Sequence, residues 1–289
     1  MKKHNLIAIT LFGVLLLGFG QLPGDSTAFG LSLMGPPRSI LQQGENSFSL
    51  ELEYSEMDLQ TFGDVTESWL SISYSEKSYT QYKIDKIKSI MPSVRIDTNL
   101  FENWDLFLRL GASDASDEIN EDMPDGSTGH QYMDFDGKFG FSYGIGTRTT
   151  FFKENNTSWG GIFEINWINP GDSDITDKSD TNFTGNAEID YWEFQLAIGP
   201  TVEYDNIRIY GGPFMDFING NLDITGNTTD TVAPYLPINV KSSQEIREKS
   251  QFGGYLGAQW KIGDNNTLVT EVQLTGDAWG IGIGTSWKF

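Results

Sequence analysis

Trp279-Gly-Ile-Gly-Ile-Gly-Thr-Ser-Trp-Lys-Phe289 alternates a large or apolar side chain with a small or polar one and stops on an aromatic. Side chains of a β-strand point to opposite faces in turn. Trp279, Ile281, Ile283, Thr285, Trp287 and Phe289 therefore share one face, and Gly280, Gly282, Gly284, Ser286 and Lys288 the other. One face suits a greasy surrounding and the other a crowded or polar one. The same two-faced writing recurs upstream, beginning with Phe48, Leu50, Leu52 and Tyr54 set against Ser49, Glu51, Glu53 and Ser55.

This final strand resembles the C-terminal strand by which bacterial outer-membrane β-barrels are recognised and inserted. The resemblance covers the end of the chain closely and the rest only by architecture. It implies an all-β fold, a closed antiparallel up-and-down transmembrane barrel in a Gram-negative outer membrane. It also implies outer-membrane lipids and lipopolysaccharide as surroundings, the barrel-assembly machinery as a partner, and Trp287 and Phe289 as the insertion signal. Physics agrees, because hydrocarbon offers no hydrogen bonds and only helices or closed barrels satisfy every backbone group internally.

Lys2 and Lys3 precede an apolar run from Leu6 to Phe19, and Ser26-Thr-Ala28 follows as a small-x-small cleavage pattern. Residues 1–28 thus read as a secretory signal, the run being shorter than the roughly 20 residues of a spanning helix. Elsewhere nothing reads as a spanning helix, and the mean hydropathy is −0.33. Cysteine is absent, which excludes disulfides and thiol chemistry. The net charge of −21 disfavours nucleic acid, whose phosphates need Lys and Arg.

Residues 46–289 read as about ten strands, with eight or twelve as the alternatives. Short turns fall at Phe101-Glu-Asn103, Lys153-Glu-Asn-Asn156, Asp205-Asn206 and Gly263-Asp-Asn-Asn266, rich in residues that accept positive φ. Longer polar stretches, roughly 56 to 80, 112 to 134, 169 to 189 and 218 to 246, read as loops on the opposite side, outside the cell. Between 66 and 91 the spacing of Ile84, Ile87 and Ile90 by three lets a short helix or irregular loop compete with a strand. Pro92, Pro200 and Pro213 fall inside expected strands. They call for bulges, a membrane boundary, or shorter strands.

Period two assigns Glu51, Glu53, Arg95, Asp97, Asp105, Arg109, Arg148, Glu164, Glu193, Glu203, Arg208, Lys261, Glu271 and Lys288 to the inside, as a lumenal ion-pair network. Buried charges without partners are costly, so these should pair across the barrel. Gly140, Gly144, Gly146, Gly160, Gly199, Gly253 and Gly257 share that face and would leave room for water. Trp104, Trp159, Tyr204 and Trp260 beside short turns, and Trp167, Trp192 and Trp279 beside long ones, read as two interfacial girdles. Residues 29–45, with Pro36, Pro37 and Arg38, read as a periplasmic tether, the competing arrangement being a plug in which Arg38 meets a lumenal Glu.

The function expected is structural, or a narrow porin-like passage for ions and small solutes. The alternative is a surface-binding module that displays its acidic loops, and a barrel hydrolase comes third. His130 is the single imidazole after the leader and has no serine two residues on, so no catalytic set is expected. No cofactor or metal site is expected either, since Asp114, Asp117, Glu118, Glu121, Asp122 and Asp125, and Asp172, Asp174, Asp177 and Asp180, lack a calcium-loop spacing.

Overall fold

A computed structural model describes residues 31–69, 72–74, 81–122, 132–176, 183–229 and 237–289. Its strands are β1 (Asn46–Trp69), β2 (Ile72–Tyr74), β3 (Gln81–Phe101), β4 (Trp104–Asp122), β5 (Tyr132–Asp136), β6 (Gly140–Glu154) and β7 (Thr157–Asn169). They continue with β8 (Asp172–Thr176), β9 (Thr184–Tyr204), β10 (Ile207–Thr229), β11 (Pro237–Glu248), β12 (Phe252–Lys261), β13 (Asn266–Thr275) and β14 (Ala278–Lys288). Ten of them, β1, β3, β4, β6, β7, β9, β10, β12, β13 and β14, pair in sequence into a closed antiparallel ring. The terminal strand closes it, with Phe48 opposite Trp287 and Tyr54 opposite Ile281.

The short turns lie where the Asn and Asp residues place them. Asn103, Asn155 and Asp205 all have positive φ, at 68°, 51° and 42°, a region these side chains tolerate better than most. Between them the outward face supplies the apolar band. On β9 it runs Trp192, Phe194, Leu196, Ile198, Pro200, Val202 and Tyr204. About twelve steps of ~3.3 Å tilted by about 40° give roughly 30 Å, the thickness of a bilayer's hydrocarbon.

Above that band the strands continue and their polarity inverts. On β9 the outward side chains become Asn186, Glu188 and Asp190 while Ala187, Ile189 and Tyr191 turn inward and are buried. On β10 outward Met215 and Phe217 give way to Asn219, Asn221 and Asp223, and inward Arg208 and Asp216 to Ile218, Leu222 and Ile224. Water has replaced lipid outside, and an apolar core has replaced charge inside. The stretches expected as loops are therefore largely strands. Here β5 and β8 take over from β6 and β7, and β11 inserts between β10 and β1 above β12, β13 and β14.

The result is an eight-stranded collar on the ten-stranded barrel. Its one seam without a ladder, between β5 and β8, is bridged by Asp136 N–H donating to Ser173 Oγ at 2.9 Å and Lys138 N–H to the Asp172 carbonyl at 3.4 Å. Eight strands enclose a space that side chains alone can fill, and Met57, Leu59, Ile87, Phe135, Ile175, Leu222, Ile224 and Ile246 fill it.

Residues 66–91 contain no helix among those described. The spacing of the isoleucines crosses irregularities, since β3 changes register against β1 between Met57 and Leu59 and against β4 between Asp85 and Lys88. The prolines shorten no strand. Pro200 and Pro213 face one interruption of the β9–β10 ladder, between Tyr210↔Thr201 and Phe214↔Ala197. Pro92 faces another, between Ile90↔Asp114 and Ser93↔Gly111. A residue without N–H costs nothing where no ladder bond is made.

The expectation of a periplasmic tether is corrected for residues 31–41. They lie inside the barrel, with Leu31, Leu33, Met34, Ile40 and Leu41 buried. A ten-stranded cylinder is wider than its lining, and this segment takes up the difference. The inward glycines accommodate it rather than water: a Cβ on Gly160 would stand 1.9 Å from the Pro37 carbonyl oxygen, and one on Gly282 2.6 Å from Leu33. Others are covered by wall side chains, Gly146 by Phe107 and Gly257 by Tyr210.

The inverted core makes a prediction. Leu222→Ala is expected to lower stability by about 2–5 kcal/mol, and Asp223→Ala next to it on the outer face to change it by no more than about 0.5 kcal/mol. Urea unfolding in lipid vesicles, followed by tryptophan fluorescence, measures both.

Candidate functional site: the filled lumen

Part of the expected set of charges is brought together around three arginines. Arg109 reaches Glu53 at 2.5 Å, Glu164 at 3.0 Å and Glu51 at 3.4 Å. Arg95 contacts Glu51 at 3.0 Å and Asp97 at 3.5 Å, and Arg148 contacts Asp97 at 2.6 Å. Arg95 and Arg148 also stand over the Phe107 ring, at 5.3 and 5.0 Å from its centroid. All are buried, so a low dielectric strengthens each contact and makes each missing one costly.

Buried carboxylates outnumber buried guanidiniums. Glu51, Glu53, Asp97, Asp105, Glu164, Glu193, Asp216 and Glu271 stand against Arg38, Arg95, Arg109 and Arg148. Four of the carboxylates, Asp105, Glu193, Asp216 and Glu271, have no cation within salt-bridge distance among the described residues. The plug serves three of them. Glu271 accepts the N–H groups of Met34 and Gly35 at 3.0 and 2.9 Å, with Gly35 at φ 79° turning both toward it. Asp105 accepts the Ile40 N–H and the Ser39 hydroxyl, each at 2.7 Å, and Glu193 accepts the Ser32 hydroxyl at 2.8 Å.

The wall answers with donors as well. Arg109 and Arg95 donate to the Leu33 carbonyl at 2.6 and 3.3 Å, and Gln273 to the Ser32 carbonyl at 2.7 Å. A segment without helix or strand thus has several of its buried backbone groups paired by the barrel, as a buried backbone requires.

At the periplasmic end the fit loosens. Arg38 of the plug pairs with Glu203 at 3.0 Å, Arg208 binds the same carboxylate, and Lys288 donates to the Ile40 carbonyl at 2.6 Å. Lys261, expected in the network, is instead exposed at the rim, because β12 ends there and lifts it clear of the lumen. Sequence reading missed Asp216, although continuing the period from Arg208 through Tyr210 and Phe214 places it inward. Glu271, Glu193 and Asp105 were found, but not the backbone they hold.

Trp104, Trp159, Trp192, Tyr204, Trp260 and Trp279 project outward and are exposed on the protein surface, at the two edges of the apolar band. Glu56 marks the outer edge, accepting from the Tyr54 hydroxyl at 2.7 Å and from the Trp279 indole N–H at 3.1 Å. The fold is that of a bacterial outer-membrane β-barrel. The barrel resembles the outer membrane protease OmpT of Escherichia coli, with a TM-score of 0.50 at 7% identity over 90% of this chain and 99% of that one. The transport unit of the autotransporter AIDA-I from Escherichia coli matches with a TM-score of 0.45 at 10% identity, over 90% of this chain and 93% of that one. The outer membrane protein OprG of Pseudomonas aeruginosa matches with 0.44 at 10%, over 86% and 96%. No protein-family model and no curated protein sequence matches the barrel.

No group of three or more His, Cys, Asp or Glu able to hold a metal ion occurs among the described residues. His130 and the acidic residues Asp125, Asp177 and Asp180 lie outside them. On the collar, Asp172, Glu188 and Asp223 stand directly opposite one another on β8, β9 and β10, an arrangement of like charges that destabilises a sheet. Partial burial, then Asp223 and Glu188, holds the neighbouring Asp190 carboxyl above the ordinary carboxylate range.

Two predictions follow from the charges. Arg109→Leu strips Glu51, Glu53 and Glu164 of their shared cation and should cost about 3–5 kcal/mol, read as a lower temperature for the heat-dependent gel shift. For Asp190 the folded state binds its proton more readily than the unfolded chain. That contribution therefore stabilises the collar as pH falls through the raised folded value and is lost as pH rises. Protease nicking of the collar should slow on acidification, and Asp190→Asn should weaken that pH dependence.

Proposed function

We propose that the barrel is a closed scaffold whose function lies on its extracellular collar, as a surface-binding module, and not in passage through the lumen. The supporting observation is that the lumen is occupied at both heights by different means. In the membrane the plug and the Arg109 network occupy it. Above, the apolar side chains of the collar meet one another. Withdrawing the plug would still leave a dry constriction, which opposes ions because they must shed water to cross it. The reading of a narrow porin-like path for small solutes has no such support.

In this reading the protein is not an enzyme and needs no cofactor. Its surroundings are outer-membrane lipid and lipopolysaccharide, and its last strand, with Trp287 and Phe289, is what the barrel-assembly machinery engages. The binding surface is the acid-bearing outer face of β8, β9, β10 and β11, rigid because ladders and a core hold it. Reconstituted into planar bilayers, the folded protein should stay electrically silent under applied voltage. Reproducible conductance steps from heat-modifiable, folded protein would reverse the proposal.

A further inference from the structure

Carboxylates outnumber cations along most of the lumen, but at its periplasmic mouth the balance reverses. Arg38 and Arg208 close on a single oxygen, Oε1 of Glu203, the first of them at 3.0 Å. Asp105, the next acid to act on Arg38, is already met by Ser39, Ile40 and Asn99. Lys261 stands at the same rim, where its N–H donates to the Asn206 carbonyl in the β9–β10 turn at 2.8 Å. It is near enough for its charge to act on Glu203. Yet it is exposed, and no acid lies within salt-bridge distance of its ammonium among the described residues. Three cations thus converge on one carboxylate, in a chain whose net charge is −21.

Their donors are not used up. Arg38 gives Nη1 to Ser158 at 3.1 Å and Nη2 to Glu203, while its Nε has no partner in a residue only 8% exposed. Arg208 gives Nε to Glu203 and Nη1 to Gln259 at 2.9 Å, which leaves its second Nη without a partner among the described residues. The group opens toward solvent on the Glu203 side, whose side chain is 30% exposed. Guanidinium forks match the oxygens of a phosphate, and an ammonium adds a compact charge beside them. The wall outside carries Tyr204 next to Glu203 and Trp260 next to Lys261, both exposed. Such rings settle at the level of lipid headgroups.

We propose that this mouth is a phosphate seat, in which Arg208 and Lys261 bind the phosphate of a phospholipid in the periplasmic leaflet. Arg38 stands behind them and adds the charge that Glu203 alone does not cancel. Glu203 competes with the ligand for both guanidiniums and keeps them paired when the seat is empty. Because Arg38 belongs to the plug, the seat is complete only with the plug in place, and the bound headgroup fastens plug and wall together. None of this depends on what the collar binds.

The test uses the full folded chain, stripped of lipid in non-ionic detergent, and native mass spectrometry with added phosphatidylglycerol. Diacylglycerol with the same acyl chains lacks the phosphate and serves as the comparison. One phosphatidylglycerol should be retained, and diacylglycerol should not. Arg208→Gln combined with Lys261→Gln should weaken retention about tenfold, the scale of losing a hydrogen bond to a charged group. Glu203→Gln should strengthen it, and Lys138→Gln at the opposite end of the molecule should leave it unchanged. Inorganic phosphate, set against chloride at equal ionic strength, separates the sources. Displacement of the lipid shows that the seat reads phosphate alone, and persistence shows that the acyl chains share in the hold; the seat stands in both cases. Equal retention of diacylglycerol, or unaltered retention by the double variant, overturns the proposal. So does displacement by N-acetylglutamate but not by phosphate, which would make it a carboxylate site. Should the double variant fail to fold, Lys261→Gln decides alone, since that side chain is exposed and makes no ion pair among the described residues.

Discussion

Burying carboxylates inside the barrel is costly unless donors meet them, and that constraint governs most of this structure. Arg109 alone engages Glu51, Glu53 and Glu164, tying β1 to β7 across the barrel. Yet the arginines are too few. The remaining carboxylates accept from wall amides such as Asn99, Asn166 and Gln273, and the peptide N–H groups of Met34, Gly35 and Ile40 add further donors. The plug is thus an electrostatic component of the barrel as much as a filler.

Width explains why the two storeys are built differently. Ten strands leave an axial space that the wall's own side chains do not fill, and the extra length of chain at residues 31–41 occupies it. Eight strands do not, and the collar is filled by its own leucines, isoleucines and aromatics. Losing two strands between storeys requires that some ladders end and others begin, which β5, β8 and β11 accomplish. The same step moves the sheet from lipid to water, and the faces exchange polarity at Tyr191 and Trp192.

These features bear on function together. A surface raised above the membrane on a cored, closed sheet presents fixed side chains, and a row such as Asp172, Glu188 and Asp223 can be kept in like-charge contact only because the ladders beneath it resist separation. A lumen filled with protein in both storeys directs attention to that outer face.

Much of the barrel was legible in the chain. The period-two writing of Trp279 to Phe289 and of Phe48 to Ser55 assigned both faces of strands that prove to be partners. Asn103, Asn155 and Asp205 marked the tight turns because their side chains tolerate a backbone most residues avoid. Parity assigned most of the lumenal acids and arginines, while Asp216 was missed and Lys261 lies exposed at the rim. Two things were not legible. The collar read as loops because its alternation is inverted, so a pattern judged by greasy outside and polar inside fails where water surrounds the sheet. The plug carries no periodic signal, since residues 31–41 adopt neither helix nor strand and their partners, Ser55, Arg95, Asp105, Arg109, Glu193 and Glu271, are spread over five strands. Local pattern is a property of one strand and its solvent, and the sequence determined that much. Which carboxylates lack an arginine, and which backbone must come to them, is a property of the closed ring, and only the tertiary structure decided it.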